Sequence, residues 1–347
     1  MRKLASIQKI KGIHPIEGAD RIELAKVLGW QCVVNKGQFQ PGDLCVYFEV
    51  DSFLPIDPAY EFLRSNSYKK NDYMGEGFRL RTMKFRGQIS QGLALPVGTL
   101  IKTPVQEGDD VTELLNVKEW SMPEVVGNAG IMIGSRPDFI AKTDETRIQS
   151  APELLEEFRG LPFYITTKCD GSSHSIGIRE DSTFHMTGHN FEFKDEPGTS
   201  GFVDLIRERG FEEKMREYME DNHISCMVVQ GELCGEGIQK NRMKLPKPEW
   251  FIFTVYEDHK RCGLGEIEKV VAYIGGVMVP LEETGDNLLD YYPDEAALLK
   301  RAEGNYPNGG KKEGIVIRPI TPVHSHTLSG SLSMKVINNQ YLLKNEE

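Results

Sequence analysis

Short β-rich runs separated by turn residues fill the first hundred positions, and they constrain the fold of this region strongly. The runs are RIELAKVLGW, QCVVNKG, DLCVYFEV and GLALPV, and the breaks between them include NKGQFQPGD and FLPIDP. Several short strands at this spacing are typical of a small β-barrel such as an OB-fold. We therefore assign residues 1–102 to an OB-fold module.

The remainder of the chain is predicted to be α+β. Residues 103–141 are irregular and rich in Pro and Gly, which indicates an extended linker. From 142 to 347, β runs such as ISCMVVQGEL, EWFIFTVYE and EGIVIRPI alternate with helical patterns. One helix, FEEKMREYMED, places four apolar residues on one face, which indicates core packing: Phe211, Met215, Tyr218 and Met219. A second short helix, DEAALLKRAEG, is expected between Pro293 and Gly304.

Composition narrows the functional classes. Of the 347 residues, 39% are hydrophobic and 27% are charged, as in soluble globular proteins, and no apolar run approaches the roughly 20 residues of a membrane span. The N-terminus lacks the apolar core of a signal peptide, so a cytoplasmic protein is expected. The net charge of −11 argues against coating nucleic acid by bulk electrostatics but allows a local basic groove. Six scattered cysteines without a C-x-x-C pair predict reduced thiols rather than a zinc or disulfide framework.

The stretch YITTKCDGSSHSIGI contains Lys168, followed at once by Cys169, Asp170 and Gly171. The flanking runs predict two strands, and Asp-Gly between strands is a common hairpin turn. Lys-x-Asp-Gly occurs by chance in roughly one chain in twelve of this length at average residue usage. On these residues alone, an ordinary turn lysine and a nucleophilic lysine are both open.

Four later stretches change that balance. They place Glu232 in VVQGELCGEG, Phe253 in WFIFTVYED, Glu313 in KKEGIVIRP and Lys335 in LSMKVINNQ. Each Glu or Lys alone fits a solvated strand end, and Phe253 alone fits a core residue. In this order after Lys168, however, the series resembles the nucleotidyltransferase motifs of the covalent ligase superfamily, which contains ATP-dependent DNA and RNA ligases and mRNA capping enzymes.

Three further stretches resemble RNA ligases in particular. They are the tail YLLKN, the segment KTDETRIQ that carries Arg147, and the front module IEGADRIELAKVLGWQCVVNKGQFQPGD. The front module is similar to that of the fifth RNA ligase family. This resemblance implies an ATP-grasp-like nucleotidyltransferase domain of antiparallel sheets and helices behind the OB-fold.

The resemblance also implies a reaction and roles. Lys168 would attack ATP to form lysyl-AMP, AMP would pass to an RNA 5′-phosphate, and an RNA 3′-hydroxyl would then seal the strand, as in RNA repair. The implied roles fall to three sets: Mg²⁺ or Mn²⁺ ligands Asp170, Glu232 and Glu313; phosphate contacts Lys335 and Arg147; nucleotide contacts Phe253, His189 and Asn190. Lowering the lysine pKa by three units requires roughly 4 kcal/mol, and a nearby cation would act in that direction.

Two positions depart from the family pattern. His189-Asn190 stands where many relatives carry Arg-Asn, and Ser333 stands where many carry a second lysine. These departures motivate an alternative hypothesis, an RNA-binding protein with an inactive nucleotidyltransferase domain. A DNA ligase or a capping enzyme is a further alternative, although both usually carry an OB domain after the last lysine motif.

Two basic stretches are candidate RNA contacts. In GFRLRTMKFRG the cations alternate with apolar residues. This pattern suits a groove that follows a nucleic-acid strand, and it suits equally a β-strand with one solvated face. The cations are Arg79, Arg81, Lys84 and Arg86. The second stretch, IQKNRMKLPK, contributes Lys240 and Arg242. The expected partner is RNA with 3′-hydroxyl and 5′-phosphate ends, as in a nicked duplex, and a monomer is expected.

Overall fold

The computed structural model describes residues 2–121 and 131–345. The chain divides into two compact units, each described below by itself. The first comprises Met1–Val125, Gln149–Pro152 and Leu342–Glu347, and the second comprises Val126–Ile148 and Glu153–Tyr341. Within the described residues, no helix has the length and apolar character needed to cross a membrane.

The first unit is built from short antiparallel strands. They are β1 Ala5–Pro15, β2 Ile22–Val27, β3 Trp30–Asn35, β4 Leu44–Phe48, β5 Ser52–Leu54, β6 Tyr68–Asn71, β7 Gly75–Arg79, β8 Met83–Phe85, β9 Gln88–Ser90, β10 Leu93–Pro96 and β11 Lys118–Glu119. A 3₁₀ helix at Pro58–Leu63 and helices α1 Arg64–Ser67 and α2 Val97–Leu100 complete it. The main sheet has the order β10-β4-β1-β2-β3, and its strands β2, β3, β4 and β10 match the four predicted runs.

The described parts of the predicted linker 103–141 differ from the expectation. Val111 and Val117 are buried in the core of the first unit, and β11 pairs with β5. In the second unit, β12 Met132–Ser135 pairs with β16 Phe191–Phe193. The apolar residues and backbone pairing of these stretches anchor them to the units. The sequence did not predict this, because local Pro and Gly content does not report long-range contacts. The middle of the predicted linker, 122–130, lies outside the described residues.

The second unit contains an eight-stranded sheet and a four-stranded sheet. Besides β12 and β16, its strands are β13 Phe163–Lys168, β14 Ser172–Ile178, β15 Phe184–Thr187, β17 Met227–Cys234, β18 Glu249–Glu257, β19 Lys260–Arg261, β20 Val277–Met278, β21 Leu281–Gly285, β22 Gly314–Pro319, β23 His324–Ser325, β24 Gly330–Ser331 and β25 Met334–Ile337. The larger sheet has the order β12-β16-β15-β14-β17-β18-β19 with β20 beside β18, and the smaller has the order β21-β13-β22-β25.

The helices of the second unit are α3 Leu154–Glu157, α4 Gly201–Glu208, α5 Phe211–Asn222, α6 Leu264–Ile274, α7 Leu288–Tyr291, α8 Glu295–Arg301 and α9 Asn339–Asn345, whose last residues belong to the first unit. Of these, α4, α5 and α6 cover one face of the larger sheet. The predicted stripe of α5 is buried in a core that it shares with α4, α6 and the strands β14, β17 and β18. The predicted helix after Pro293 is α8, and it is capped by Asp294, whose side chain accepts a hydrogen bond from the Ala297 N–H.

The Asp-Gly dipeptide after Lys168 is not a hairpin turn. Strand β13 belongs to the smaller sheet, whereas β14 belongs to the larger one, so residues 169–171 carry the chain from one sheet to the other. A Cβ on Gly171 would stand 2.2 Å from the Leu233 carbonyl oxygen and 2.7 Å from Cys234 Sγ. Glycine is therefore required by the close approach of the backbone to β17.

Candidate active site

Strand alternation directs a set of side chains from both sheets toward one cavity. In the smaller sheet, Thr166 pairs with Val316, Val316 pairs with Lys335, and Lys168 pairs with Gly314. Residues two apart on a strand share a face, so Thr166 and Lys168 face the same side. In the larger sheet, Glu232 pairs with Ser173 and points away from the helix-covered core, which contains its neighbour Leu233.

The cavity has a volume of about 160 Å³. Of the predicted site residues, five line it: Lys168, His189, Glu232, Phe253 and Lys335. Ten further lining residues were not predicted from the sequence: Thr143, Asp144, Glu145, Thr166, Thr167, Cys169, Ser173, Val279, Val316 and Arg318.

Lys168 lies at the end of β13 in an ion pair. Its Nζ is 2.8 Å from Glu313 Oε1, and 24% of the lysine side chain is exposed. The Tyr306 hydroxyl fixes this arrangement, since it donates to the Lys168 carbonyl at 2.8 Å and accepts from the Glu313 N–H at 3.1 Å. The neighbouring Lys312 pairs instead with Glu282 at 2.8 Å. In the sequence Lys-Lys-Glu, Lys312 is therefore a structural residue, whereas Glu313 belongs to the site of Lys168.

The carboxylates around Lys168 change the pKa of the amine in an unexpected direction. Burial alone would lower the Lys168 pKa, but Glu313, Glu232 and Asp170 outweigh it, so the pKa is raised. Burial, followed by Glu313 and Asp170, raises the Glu232 pKa to about 8, although Lys168 opposes this shift. In the protein alone, the amine is therefore held as an ammonium ion.

Lys335 shows the opposite behaviour in the same cavity. Burial, followed by the positive charges of Lys168 and Arg147, lowers its pKa to about 8. Arg147 is held beside it, because the backbone of Arg147 forms a parallel bridge with that of Lys335. Lys168, Lys335 and Arg147 are thus clustered although they are far apart in sequence.

Asp170 and Arg242, predicted to serve a metal and RNA respectively, contact each other. Arg242 Nη1 forms an ion pair with Asp170 Oδ2, and the Tyr341 hydroxyl donates to Asp170 Oδ1 at 2.7 Å. The guanidinium also lies 5.0 Å from the centre of the Tyr341 ring. Both Asp170 oxygens have protein partners, so this carboxylate ties the crossover after Lys168 to the segment of Arg242 and to helix α9.

Arg318 fixes the side chain of Phe253. Its guanidinium donates to the Phe253 carbonyl, lies 5.7 Å from the centre of the Phe253 ring and pairs with Glu145 at 2.6 Å. Burial raises the pKa of Glu145, but Arg318, Arg261 and the Ser333 hydroxyl outweigh it and hold the pKa at about 2. Ser333, where a second lysine was expected, therefore donates a hydrogen bond to Glu145. In the sequence, Glu145 lies close to Arg147 and Arg318 lies close to Glu313. This proximity to predicted site residues is the sequence signal that could have identified Glu145 and Arg318.

The two remaining predicted nucleotide contacts, His189 and Asn190, differ in their position relative to the cavity. His189 lines the cavity, with its Nε2 3.6 Å from Asp144 Oδ2. Asn190 is not among the residues that line the cavity, and its carbonyl accepts a hydrogen bond from the Arg136 N–H at 3.0 Å.

The RNA candidates of the first unit are spread from β7 to the β8–β9 hairpin. Phe78 and Leu80 are buried in the core, while Arg79 is 3.6 Å from Asp51 and stacks 5.1 Å from the Trp120 ring. Lys84 and Arg86 are exposed on the β8–β9 hairpin. Arg81 lines a groove of about 360 Å³ together with Phe62, Met83 and Phe85. In the second unit, Lys240 is exposed.

Comparisons with known proteins identify the family. A family model described as an OB-fold domain matches residues 4–97, and one described as RNA ligase matches residues 161–337. No curated protein sequence matches.

Solved structures resemble the chain over its whole length. The RNA ligase of Naegleria gruberi with PPi is 33% identical, with a TM-score of 0.86 over 100% of this chain and 99% of that one. A glutamate-to-alanine mutant of the same ligase with ATP and Mn is 32% identical, with a TM-score of 0.86 over 100% of both chains. A lysine-to-methionine mutant with AMP and Mn is 33% identical, with a TM-score of 0.87 over 99% of both chains. The present chain, with an OB-fold module ahead of its catalytic fold, belongs to the RNA ligase family.

Proposed function

We propose that this RNA ligase uses ATP to join a 3′-hydroxyl to a 5′-phosphate, with AMP carried covalently on Lys168. The observation that carries the proposal is the ion pair of Lys168 with Glu313 at a cavity that Lys168 lines together with Lys335 and Phe253. Solved relatives that contain ATP, AMP, PPi and Mn support the assignment of ATP as substrate.

The carboxylates beside Lys168 fit a divalent cation. Glu232 and Glu313 offer hard oxygen ligands, as Mg²⁺ and Mn²⁺ prefer. The raised pKa of Glu232 shows that burial and neighbouring negative charge make this group costly to ionise without a cation. A bound cation would offset charge on the carboxylates and on the α-phosphate. Asp170 would act chiefly by positioning the crossover, because both of its oxygens already have protein partners.

In the first step, Lys168 Nζ attacks the α-phosphorus of ATP. An N–P bond forms, the bond to the β-phosphate breaks, pyrophosphate leaves, and the amine gives up its protons. Glu313 Oε1 lies 2.8 Å from the amine and is the nearest carboxylate to receive a proton. Lys335 and Arg147 would place positive charge beside the α-phosphate oxygens, and Phe253, held by Arg318, would contact the adenine.

The next two steps return the lysine to its starting state. The oxygen of an RNA 5′-phosphate attacks the phosphorus of lysyl-AMP, the N–P bond breaks, and the amine takes up a proton. The 3′-hydroxyl oxygen then attacks the 5′-phosphate of the adenylylated RNA, a phosphodiester forms and AMP leaves. The same cationic cluster would serve all three attacks. In each attack the oxygens around the reacting phosphorus carry negative charge, which nearby cations stabilise.

The finer parts of the proposal concern substrate and setting. We propose a monomer that repairs nicked RNA duplexes in the cytoplasm, with Lys84, Arg86 and Lys240 as exposed phosphate contacts. All six cysteines are buried free thiols, which fits a reducing compartment. The rival hypothesis of an inactive domain draws on Ser333, which supplies a hydrogen bond rather than a cation.

Transfer of labelled AMP to the protein separates these hypotheses. We expect the protein, incubated with α-labelled ATP and Mg²⁺ or Mn²⁺, to carry label that survives boiling on a denaturing gel. Lys168→Met should abolish the label, whereas Lys300→Met, on an exposed lysine of α8, should keep it. Labelling by GTP would indicate a capping activity, and no label from either nucleotide would favour the inactive domain.

A further inference from the structure

Three potential metal ligands meet at the end of the larger sheet opposite to Glu232. Strands β14, β17 and β18 are antiparallel neighbours, with Ile178 opposite Met227 and Met227 opposite Glu257. This register brings together the residues just beyond those strand ends: Glu180, Cys226 and His259. One ligand atom from each lies within 4.8 Å of the other two. The six residues from Glu232 to Cys226 span about 20 Å of strand, so this cluster is separate from the active site.

The backbone around the cluster is fixed. The turn between β18 and β19 is bonded to the segment of Cys226 by three hydrogen bonds: Asp258 Oδ1 accepts from the Ser225 N–H at 2.8 Å and from the Cys226 N–H at 3.0 Å, and the Asp258 N–H donates to the Cys226 carbonyl at 2.8 Å. Asp258 and His259 both adopt positive φ values, 45° and 64°, so the turn geometry sets where the imidazole projects. The position of His259 relative to Cys226 is therefore preorganised.

The side chains combine one rigid ligand with two adjustable ones. Cys226 is only 2% exposed, and it lines a cavity of about 100 Å³ with His259 and the apolar residues Phe139, Ala141 and Val228. The His259 Nε2 contacts Glu180 Oε1 at 2.6 Å, and both side chains are about half exposed, at 58% and 49%. Tetrahedral zinc with bonds of 2.0–2.3 Å separates its ligands by about 3.3–3.8 Å. Small rotations of Glu180 and His259 would bring the cluster to that size.

We propose that Glu180, Cys226 and His259 form a site for Zn²⁺ or a similar thiolate-binding transition metal, with one position left for water. A thiolate and an imidazole select such ions over Mg²⁺, which prefers oxygen. On binding, the Cys226 thiol loses its proton to solvent as the metal–sulfur bond forms. The scattered cysteine spacing gave no sign of this site, since its ligands come from three strand ends.

Absorption spectroscopy with Co²⁺ tests the site in the full chain. Chelator-treated protein in excess Mg²⁺, which occupies carboxylate sites, should develop a thiolate-to-cobalt absorption band at one equivalent of Co²⁺, and Zn²⁺ should remove it. Cys226→Ser should lose the band. His259→Gln and Glu180→Gln, both at exposed positions, should weaken binding by at least about tenfold.

Cys262→Ser is the matched control, because Cys262 is a buried thiol that directly follows β19 and lies outside the cluster. It should keep the band and the wild-type affinity. If Cys226→Ser fails to fold, the His259 and Glu180 variants decide the outcome. The proposal would be overturned if wild type gave no thiolate band, or if those two variants bound Co²⁺ as tightly as wild type. Neither outcome bears on AMP transfer to Lys168.

Discussion

At the scale of single residues, the two lysines of the cavity have opposite pKa shifts. The carboxylates raise the pKa of Lys168, whereas burial and the neighbouring cations lower that of Lys335 to about 8. In the proposed mechanism, Lys168 would therefore need its carboxylates to be neutralised before its amine attacks ATP. This dependence would couple the chemistry of the amine to the arrival of a divalent cation with ATP.

Glu313→Gln tests that dependence. The substitution keeps the shape of the side chain but removes the charge that pairs with Lys168 and would help hold the cation. We expect the rate of lysine adenylylation to fall by about 10- to 100-fold at low Mn²⁺, and the half-maximal Mn²⁺ concentration to rise. Single-turnover labelling over a Mn²⁺ titration measures both quantities.

Glu283→Gln is the control for this measurement, because Glu283 is also partly buried but pairs with Arg301, at 3.0 Å, rather than with Lys168. It should leave the Mn²⁺ dependence unchanged. An unaltered Mn²⁺ titration for Glu313→Gln would remove Glu313 from the cation site.

The residues of this site were predictable only in part. Lys168, Glu232, Phe253 and Lys335 stand at strand positions that a motif series reveals, and the structure gathers them at one cavity. The direction of the Lys168 pKa shift was not predictable, because it depends on the distances to Glu232 and Glu313, which come from two other segments of the chain. The pairing of Asp170 with Arg242 was missed for the same reason.

At the scale of elements, a buried ionic network connects the segment before Arg147 to β22 and β25. Glu145 accepts bonds from Arg318 and from Ser333, and Arg261 approaches it at 3.3 Å. The network fixes Phe253 through its backbone and ring. Local residue patterns predicted the strands. The network, however, forms between residues of different sheets, and residue spacing along the chain does not predict such contacts.

Removing Arg318 should destabilise the protein through this network. Arg318→Met leaves Glu145 buried with fewer partners, and we expect a loss of about 3–5 kcal/mol in the free energy of unfolding. The double variant Arg318→Met, Glu145→Gln should recover part of that loss, because no unpaired carboxylate remains. Chemical denaturation of the two single variants and the double variant measures the coupling; purely additive effects would contradict the network.

At the scale of the whole molecule, two units divide the chain, and the smaller contains most of the candidate RNA contacts. Its sheet order and its match to an OB-fold family model agree with the barrel that the short strands predicted. The sequence did not predict that Gln149–Pro152 and Leu342–Glu347 belong to this unit, because both lie far from it along the chain. Point variants are therefore a cleaner test than truncation.

Charge reversal on the β8–β9 hairpin should separate RNA binding from nucleotide chemistry. We expect Lys84→Glu with Arg86→Glu to weaken binding of nicked RNA and to reduce the slope of log affinity against log salt by about 1.8, or 0.9 per lost phosphate contact. Lysine adenylylation should be unchanged. The pair Lys102→Glu with Lys118→Glu makes the same charge change at two other exposed positions of the first unit. Equal salt slopes for the two pairs would exclude the hairpin as an RNA contact.

The most direct measurement is the position of AMP on the chain after reaction with ATP. Mass spectrometry of protease fragments from the reacted protein can assign the adenylate to one lysine. Lys335 is an informative competitor, because it lies in the same cavity and has the lower pKa. We predict AMP on Lys168 alone, and AMP on Lys335 or on no lysine would contradict the account.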